Sequence, residues 1–427
     1  MPNLRWLLIF WMFLMSAIAY LDRVNISIAG QAIQKEYALS NVQLGWVFSA
    51  FVMGYALFQA PGGRLADRFG PRAVITGGVL WWGIFTSLTA MVPAGLAWSI
   101  GLLIAVRFLL GLGEAVVYPA SNRLVANWIP SGERGIANGL IFAGVGAGAG
   151  VTPPLITWIL TTWGWQWSFY VSAIIGLVAG LGWYLLARDT PRSHPLATGP
   201  EIALIEAGLP QTARNSAAGL SWSAILTNRS LLAVSLSYFT YGYVAYIFFT
   251  WFFIYLSRVR GLNLKSSAFY SMLPFIAMAV ASPLGGWIAD RLTARYGKRV
   301  GRCGVAVVGI ALAGVFLALA TQVESAQLAS IVLAGGAGAL YLSQSAFWAV
   351  TADIAGPSAG SASGIMNMGS QLGGALTASL TPWIADHFGW TPSFLVAAAL
   401  CILGAVLWLA VDPNAAIGEP ETAAAAR

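Results

Sequence analysis

Charge is what this chain has least of. Asp, Glu, Lys and Arg make up 9% of its 427 residues, while 58% are hydrophobic and the mean hydropathy is +0.74. A soluble globular chain carries about 25% charged residues. With so few, this chain cannot cover a water-facing surface, and it reads as an integral membrane protein. Cysteine is nearly absent too: Cys303 and Cys401 fall in separate apolar segments, which excludes a disulfide framework. The two histidines, His194 and His387, read as loop residues, so a buried multi-histidine metal site is set aside and no metal or cofactor is expected. The formal net charge of +7 would suggest nucleic acid only with a basic patch on a soluble face. Here the basic residues sit in short loops between apolar segments, so they report topology and no nucleic-acid partner is expected.

What the chain has in plenty is long apolar runs. A span needs about 20 mostly apolar residues, and the expected spans are 6–29, 43–64, 73–94, 98–119, 136–160, 167–187, 230–256, 268–289, 303–321, 326–349, 362–385 and 392–411. Arg5 and the run ending Ala17-Ile18-Ala19 mimic a cleavable signal peptide. The run continues to about Ala29, long enough to span, and losing it would break the even count. Ser40 and Gln43 suggest a capping box before the second span. A polar stretch, Arg188 to Asn228, divides the twelve into six plus six. The expected organisation is an all-α membrane protein: a six-helix bundle over 1–187, a cytoplasmic linker over 188–229, a second bundle over 230–411 and a disordered cytoplasmic tail over 412–427. With the N-terminus inside, sixteen of the 22 Lys and Arg fall in inner segments and only Lys35, Arg258, Arg260 and Lys265 fall outside. That bias places both termini in the cytoplasm.

The two halves repeat. Gly63-Arg-Leu-Ala-Asp67-Arg68 returns as Gly286-Trp-Ile-Ala-Asp290-Arg291. Gly135, Gly139, Gly144, Gly148, Trp158, Gly164, Trp165 and Phe169 meet Gly360, Gly364, Gly369, Gly373, Trp383, Gly389, Trp390 and Phe394 at a constant offset of 225. Six spans per half make the repeats parallel, the arrangement of transporters that bind substrate between two halves near the midplane. Gly144 to Gly150 superficially resembles a nucleotide loop, but it lacks the G-x-G-x-x-G spacing and a preceding strand. Its small-xxx-small pairs fit close helix packing instead.

Four charges lie well inside the spans: Asp22, Arg23, Arg107 and Glu114, all in the first half. Such charges usually face a bundle interior or a water-filled cavity. Arg107 and Glu114, seven residues apart, share one helix face about 10 Å apart along the axis. Counting from the span ends puts Asp22 and Arg107 at similar depth, so those two are expected to pair in one state, with Glu114 nearer the cytoplasm. An arginine offers a permanently charged planar fork, which suits Arg23 and Arg107 to an organic anion. A desolvated acid takes up protons more readily, which suits Asp22 and Glu114 to proton carriage. A static ion pair that only locks spans 1 and 4 together is the competing reading. The second half has no charge inside any span; its neutral candidates are Ser343, Gln344, Ser345, Trp348, Asn367, Gln371, Tyr238 and Tyr241, and Tyr55 stands in the same position in span 2.

Gly63-x-x-x-Asp67-Arg68-x-Gly70-x-Arg72 resembles the loop 2–3 motif of the major facilitator superfamily. Tyr20-Leu-Asp-Arg-Val-Asn25, Arg107 through Glu114, Pro119-Ala120 with Trp128-Ile-Pro130 and Glu133-Arg134, and Asp189-Thr-Pro-Arg-Ser-His-Pro195 together resemble its anion:cation symporter family, over nearly the whole chain. The resemblance implies a secondary active transporter, not an enzyme: import of a small organic anion with a cation, usually protons, by alternating access across a bacterial-type inner membrane, by a monomer. An uncoupled facilitator, an antiporter and, further off, a substrate-sensing receptor remain open. It implies that Arg23 and Arg107 meet the substrate carboxylate and that Asp22 and Glu114 titrate. Tyr20, Tyr55, Trp348, Asn367, Ser345 and Gln371 complete the expected pocket. Gly63, Asp67, Arg68 and Arg72, with Gly286, Asp290 and Arg291, are expected to steady the outward-facing state. Sugar-acid members often carry an amide pattern in span 5; Leu140 to Gly146 has none, which points away from a polyhydroxylated acid and leaves a less hydroxylated or aromatic carboxylate open.

Overall fold

The computed structural model describes residues 4–209 and 220–417. It is helical throughout: α1 (Leu4–Glu36), α2 (Asn41–Phe69), α3 (Pro71–Met91), α4 (Ser99–Glu114), α5 (Val117–Trp128), α6 (Arg134–Trp163) and α7 (Trp165–Leu186) form the first half. Two short helices, α8 (Gly199–Ala207) and α9 (Trp222–Thr227), lie in the connection. The second half is α10 (Arg229–Tyr246), α11 (Leu264–Tyr296), α12 (Val305–Ala320), α13 (Ala326–Leu342), α14 (Gln344–Ala355), α15 (Ala359–Phe388) and α16 (Trp390–Leu407). Eleven apolar helical stretches are long enough to cross a membrane among the described residues. One of them, Ala326–Phe388, has 63 residues and turns back at Gly356–Ser358, so it holds two crossings. At 1.5 Å per residue a straight helix of that length would be about three times the ~30 Å hydrocarbon core.

Two crossings are interrupted. The fourth pauses at Ala115-Val116, just after Glu114, and the tenth at Ser343, just before Gln344. Irregular backbone at membrane depth is tolerated where protein buries it or a cavity is lined; Ala115 and Val116 are buried, and Gln344 after the second break borders a central cavity. Ser40 and Gln43 form the capping box, the Ser40 hydroxyl accepting from Gln43 N at 3.2 Å and Gln43 Oε1 accepting from Ser40 N at 2.8 Å.

Glycine sets how closely the halves approach. A Cβ placed on Gly63 would sit 2.0 Å from Gly360 O, and one on Gly286 2.2 Å from Gly135 O. Thus α2 crosses α15 and α11 crosses α6 backbone to backbone, at positions the internal repeat makes equivalent. Within α6, Gly144 and Gly148 face Phe13 and Ala17 of α1, and Gly146 faces Phe275 of α11; Gly150 faces open space.

Two sequence expectations change. His387 lies in the last turn of α15, its Nδ1 2.8 Å from Trp383 O, because the helix runs past the expected boundary to Phe388. The segment after Asp412 is not disordered from its start: Ile417 is buried and its N–H donates to Ile354 O at 2.9 Å, since an apolar side chain there finds the base of α14. The rest of the tail lies outside the described residues. The connection is tied to both halves, with Ser131 N donating to Gly208 O at 3.0 Å and Leu220 N donating to Ser358 Oγ at 2.8 Å.

Candidate functional site

Consecutive helical residues point about 100° apart, so Asp22 and Arg23 serve different walls of α1. Asp22 is buried against α3, where the indole N–H of Trp82 donates to it. Arg23 turns toward α4, and its Nε donates to Glu114 Oε1 at 2.6 Å. The ion pair in this structure is Arg23 with Glu114, and not the one expected in one state between Asp22 and Arg107. The Arg23 guanidinium also lies 4.1 Å from the Tyr55 ring and 4.9 Å from that of Tyr20, a cation–π enclosure. Arg107, 2% exposed, lies over the Phe51 ring at 5.0 Å and has no acidic partner within ion-pair distance among the described residues. Its Nε, together with Asp22 Oδ1, Glu114 Oε2 and Arg23 Nη2, makes no hydrogen bond.

Two cavities meet at Arg23. The larger, about 250 Å³, is bounded by Arg23, Arg107, Phe51 and Phe249 and extends toward Ser27 and Thr250. The smaller, about 40 Å³, lies deeper, bounded by Tyr118, Tyr238, Gln344, Asn367 and Gln371. Tyr20 borders both. Asn367 Nδ2 donates across the halves to Gln59 Oε1 at 2.9 Å, and Gln371 Oε1 accepts from the Tyr246 hydroxyl at 2.6 Å. Trp348 stands behind this wall, its indole donating to the Tyr238 hydroxyl at 3.1 Å and its ring 4.9 Å from Phe142. Ser345 is buried, makes no hydrogen bond and borders neither cavity. Ser343 turns its hydroxyl back to Leu340 O at 2.6 Å. Trp82, Gln59, Tyr118 and Tyr246 were not singled out from the sequence, because a lone polar or aromatic residue in an apolar helix carries no mark of which neighbour it meets.

The end away from Ser27 and Thr250 is closed by acids at helix starts. Asp67 accepts from Gly360 N at 2.9 Å and Ser361 N at 2.7 Å; Asp290 accepts from Gly135 N at 2.9 Å and Ile136 N at 2.7 Å. Each carboxylate meets the positive end of a helix from the other half. Gly63 and Gly286 supply the close approach beside them. The arginines of the same motifs do not cross between halves: Arg68 and Arg291 are exposed over Phe69 and Trp287, and Arg72 donates to Tyr184 O at 2.9 and 3.1 Å. A stronger link went unnoticed in the sequence. Arg134 Nη1 meets Asp353 Oδ1 at 2.6 Å, both side chains wholly buried, with Lys298 3.5 Å from Asp353 and Arg302 2.6 Å from Asp290. Both partners fall just beyond the expected ends of their spans and so read as loop charges.

Twelve crossings among the described residues, in two repeats closed at one end and hollow at the middle, are the architecture of a membrane transporter. The chain belongs to the Major Facilitator Superfamily, whose model matches residues 12–298 and 292–426, and it is not an enzyme. It is 35% identical over 96% of its length to a probable sulfoacetate transporter of Cupriavidus necator, 94% of which is covered. It is 30% identical to a probable galactarate/D-glucarate transporter of Bacillus subtilis, covering 95% of this chain and 91% of that one, and 30% identical to a hexuronate transporter of the same organism, covering 93% and 92%. Among solved structures, the proton:xylose symporter XylE bound to 6-bromo-6-deoxy-D-glucose superposes with a TM-score of 0.73 at 17% identity, over 94% of this chain and 95% of that one.

Proposed function

We propose that this protein imports a small organic anion, a carboxylate, together with protons, by alternating access across a bacterial-type inner membrane. The observation that carries the proposal is Arg107: a buried guanidinium with no ion pair among the described residues, facing a cavity of about 250 Å³ between the halves. A buried charge demands a partner, and an anionic ligand supplies it. The anions in the relatives' names agree with this choice.

Arg23 and Glu114 supply the coupling. While Glu114 is ionised it holds Arg23 at 2.6 Å; a proton on Glu114 releases the second arginine to the ligand. Asp22, held by Trp82 on the far side of α1, is the second proton-carrying acid. With the termini in the cytoplasm, as the distribution of Lys and Arg favours, the end closed by Asp67 and Asp290 is the cytoplasmic one and the cavity leads outward. The N-terminal Arg5, 3.1 Å from Glu133, lies at that closed end.

A thermal-shift series on the purified protein tests the anion. Organic acids stabilise the wild type and fail to stabilise Arg107→Gln. Stabilisation of both proteins alike, or of the wild type by organic cations alone, contradicts the assignment.

A further inference from the structure

The two cavities differ in chemistry. The walls of the larger are mostly carbon, from Val24, Phe48, Phe51, Val52 and Phe249, with Arg107 as a cation that makes no ion pair among the described residues. The smaller has room for one polar group, since a water needs about 10–15 Å³ and this space is about 40 Å³. Two of its lining residues carry buried polar atoms without a hydrogen bond among the described residues: the free end of the Gln344 amide, and the Tyr118 hydroxyl, which has the Ser16 hydroxyl as its neighbour and can donate or accept. The Gln344 amide is held by the Tyr238 hydroxyl at 2.8 Å, so one end of the amide faces the cavity with no protein partner.

Accepting the organic-anion reading, we infer that the preferred substrate is an aromatic monocarboxylate carrying one hydroxyl remote from the carboxylate. The carboxylate meets Arg107, the ring packs between Phe51 and Phe249, and the hydroxyl enters the deep cavity to hydrogen-bond with the Gln344 amide and the Tyr118 hydroxyl. An apolar cavity of about 150 Å³ holds one benzene ring, so about 250 Å³ accommodates a ring with its carboxylate. A polyhydroxylated acid would bury several hydroxyls against carbon walls, each losing its water partners. A two-carbon dianion would leave those carbon walls unfilled.

The test is isothermal titration of the full-length protein in lipid nanodiscs with 4-hydroxybenzoate, benzoate, glucarate and sulfoacetate. The expected order puts 4-hydroxybenzoate about tenfold tighter than benzoate, the worth of roughly one hydrogen bond, with glucarate and sulfoacetate weaker than either. In Gln344→Leu the ratio of 4-hydroxybenzoate to benzoate affinity falls to about one. If that variant fails to fold, Tyr118→Phe is read by the same ratio. Glucarate or sulfoacetate binding as tightly as the aromatic acids overturns the inference and leaves the organic-anion assignment standing. A variant that weakens both aromatic acids equally also overturns it. Failure of all four anions to bind the wild type removes the assignment itself.

Discussion

Asp22 and Arg23 are neighbours in the chain, yet α1 turns one toward Trp82 and the other toward Glu114. Two acids and two arginines thus make one ion pair, not two, and the arginine left over is Arg107. On the proposed mechanism the two arginines do different work, one binding and one coupling. Arg107→Lys keeps the charge but loses the two-pronged geometry, and its substrate affinity is expected to fall about tenfold or more, read by titration. Glu114→Gln leaves Arg23 without its anionic partner and with no proton to exchange. Counterflow exchange of substrate across liposomes is expected to persist in that variant while accumulation against a gradient stops. Retained accumulation would remove Glu114 from the coupling step. The four charges were legible in the sequence because charge in an apolar run is conspicuous. Which acid meets which arginine was not, because depth counted along straight helices ignores the direction in which each side chain leaves its helix.

At the scale of helices, the glycine pairs at α2/α15 and α6/α11 place backbone against backbone where Asp67 and Asp290 reach across. A side chain at Gly63 collides with Gly360 O, and overpacking of this kind costs about 1–3 kcal/mol. Gly63→Val is therefore expected to part the closed end. In a background of Cys303→Ser and Cys401→Ser, a reporter at buried Ala359→Cys should react with a thiol reagent roughly tenfold faster in the Gly63→Val protein; an unchanged rate would show that this contact does not hold the end shut. The repeat marked these glycines as equivalent in the two halves, but which glycine each one meets is seen only in the structure. The breaks after Glu114 and at Ser343 were not readable, because the apolar pattern runs through both without a pause. Asp353 escaped notice for a related reason: one acid among Ala, Val and Ile looks like a loop boundary, whereas α14 carries it inside to Arg134.

For the molecule as a whole, one end is fastened by buried charge and the middle is hollow on the other side. Breaking a buried ion pair by removing one partner costs about 3–5 kcal/mol. Asp353→Asn should therefore destabilise the closed arrangement and shift the population toward the opposite-facing one, seen as a changed distance between spin labels at the two ends. The same distance in wild type and variant would make the Arg134–Asp353 pair static packing. The fold as a whole was the most legible level, because twelve apolar runs and a register held over the repeat leave few alternatives. Substrate identity was the least, because it is written in neutral wall residues such as Gln344 and Gln59 that look like packing until their neighbours are known. The central claim, anion import driven by protons, meets its most direct test in proteoliposomes loaded at neutral pH and placed in acidic buffer with a labelled carboxylate that binds. Accumulation above the external concentration that collapses on adding a protonophore is the predicted result; uptake that stops at equal concentrations with or without the proton gradient would contradict it.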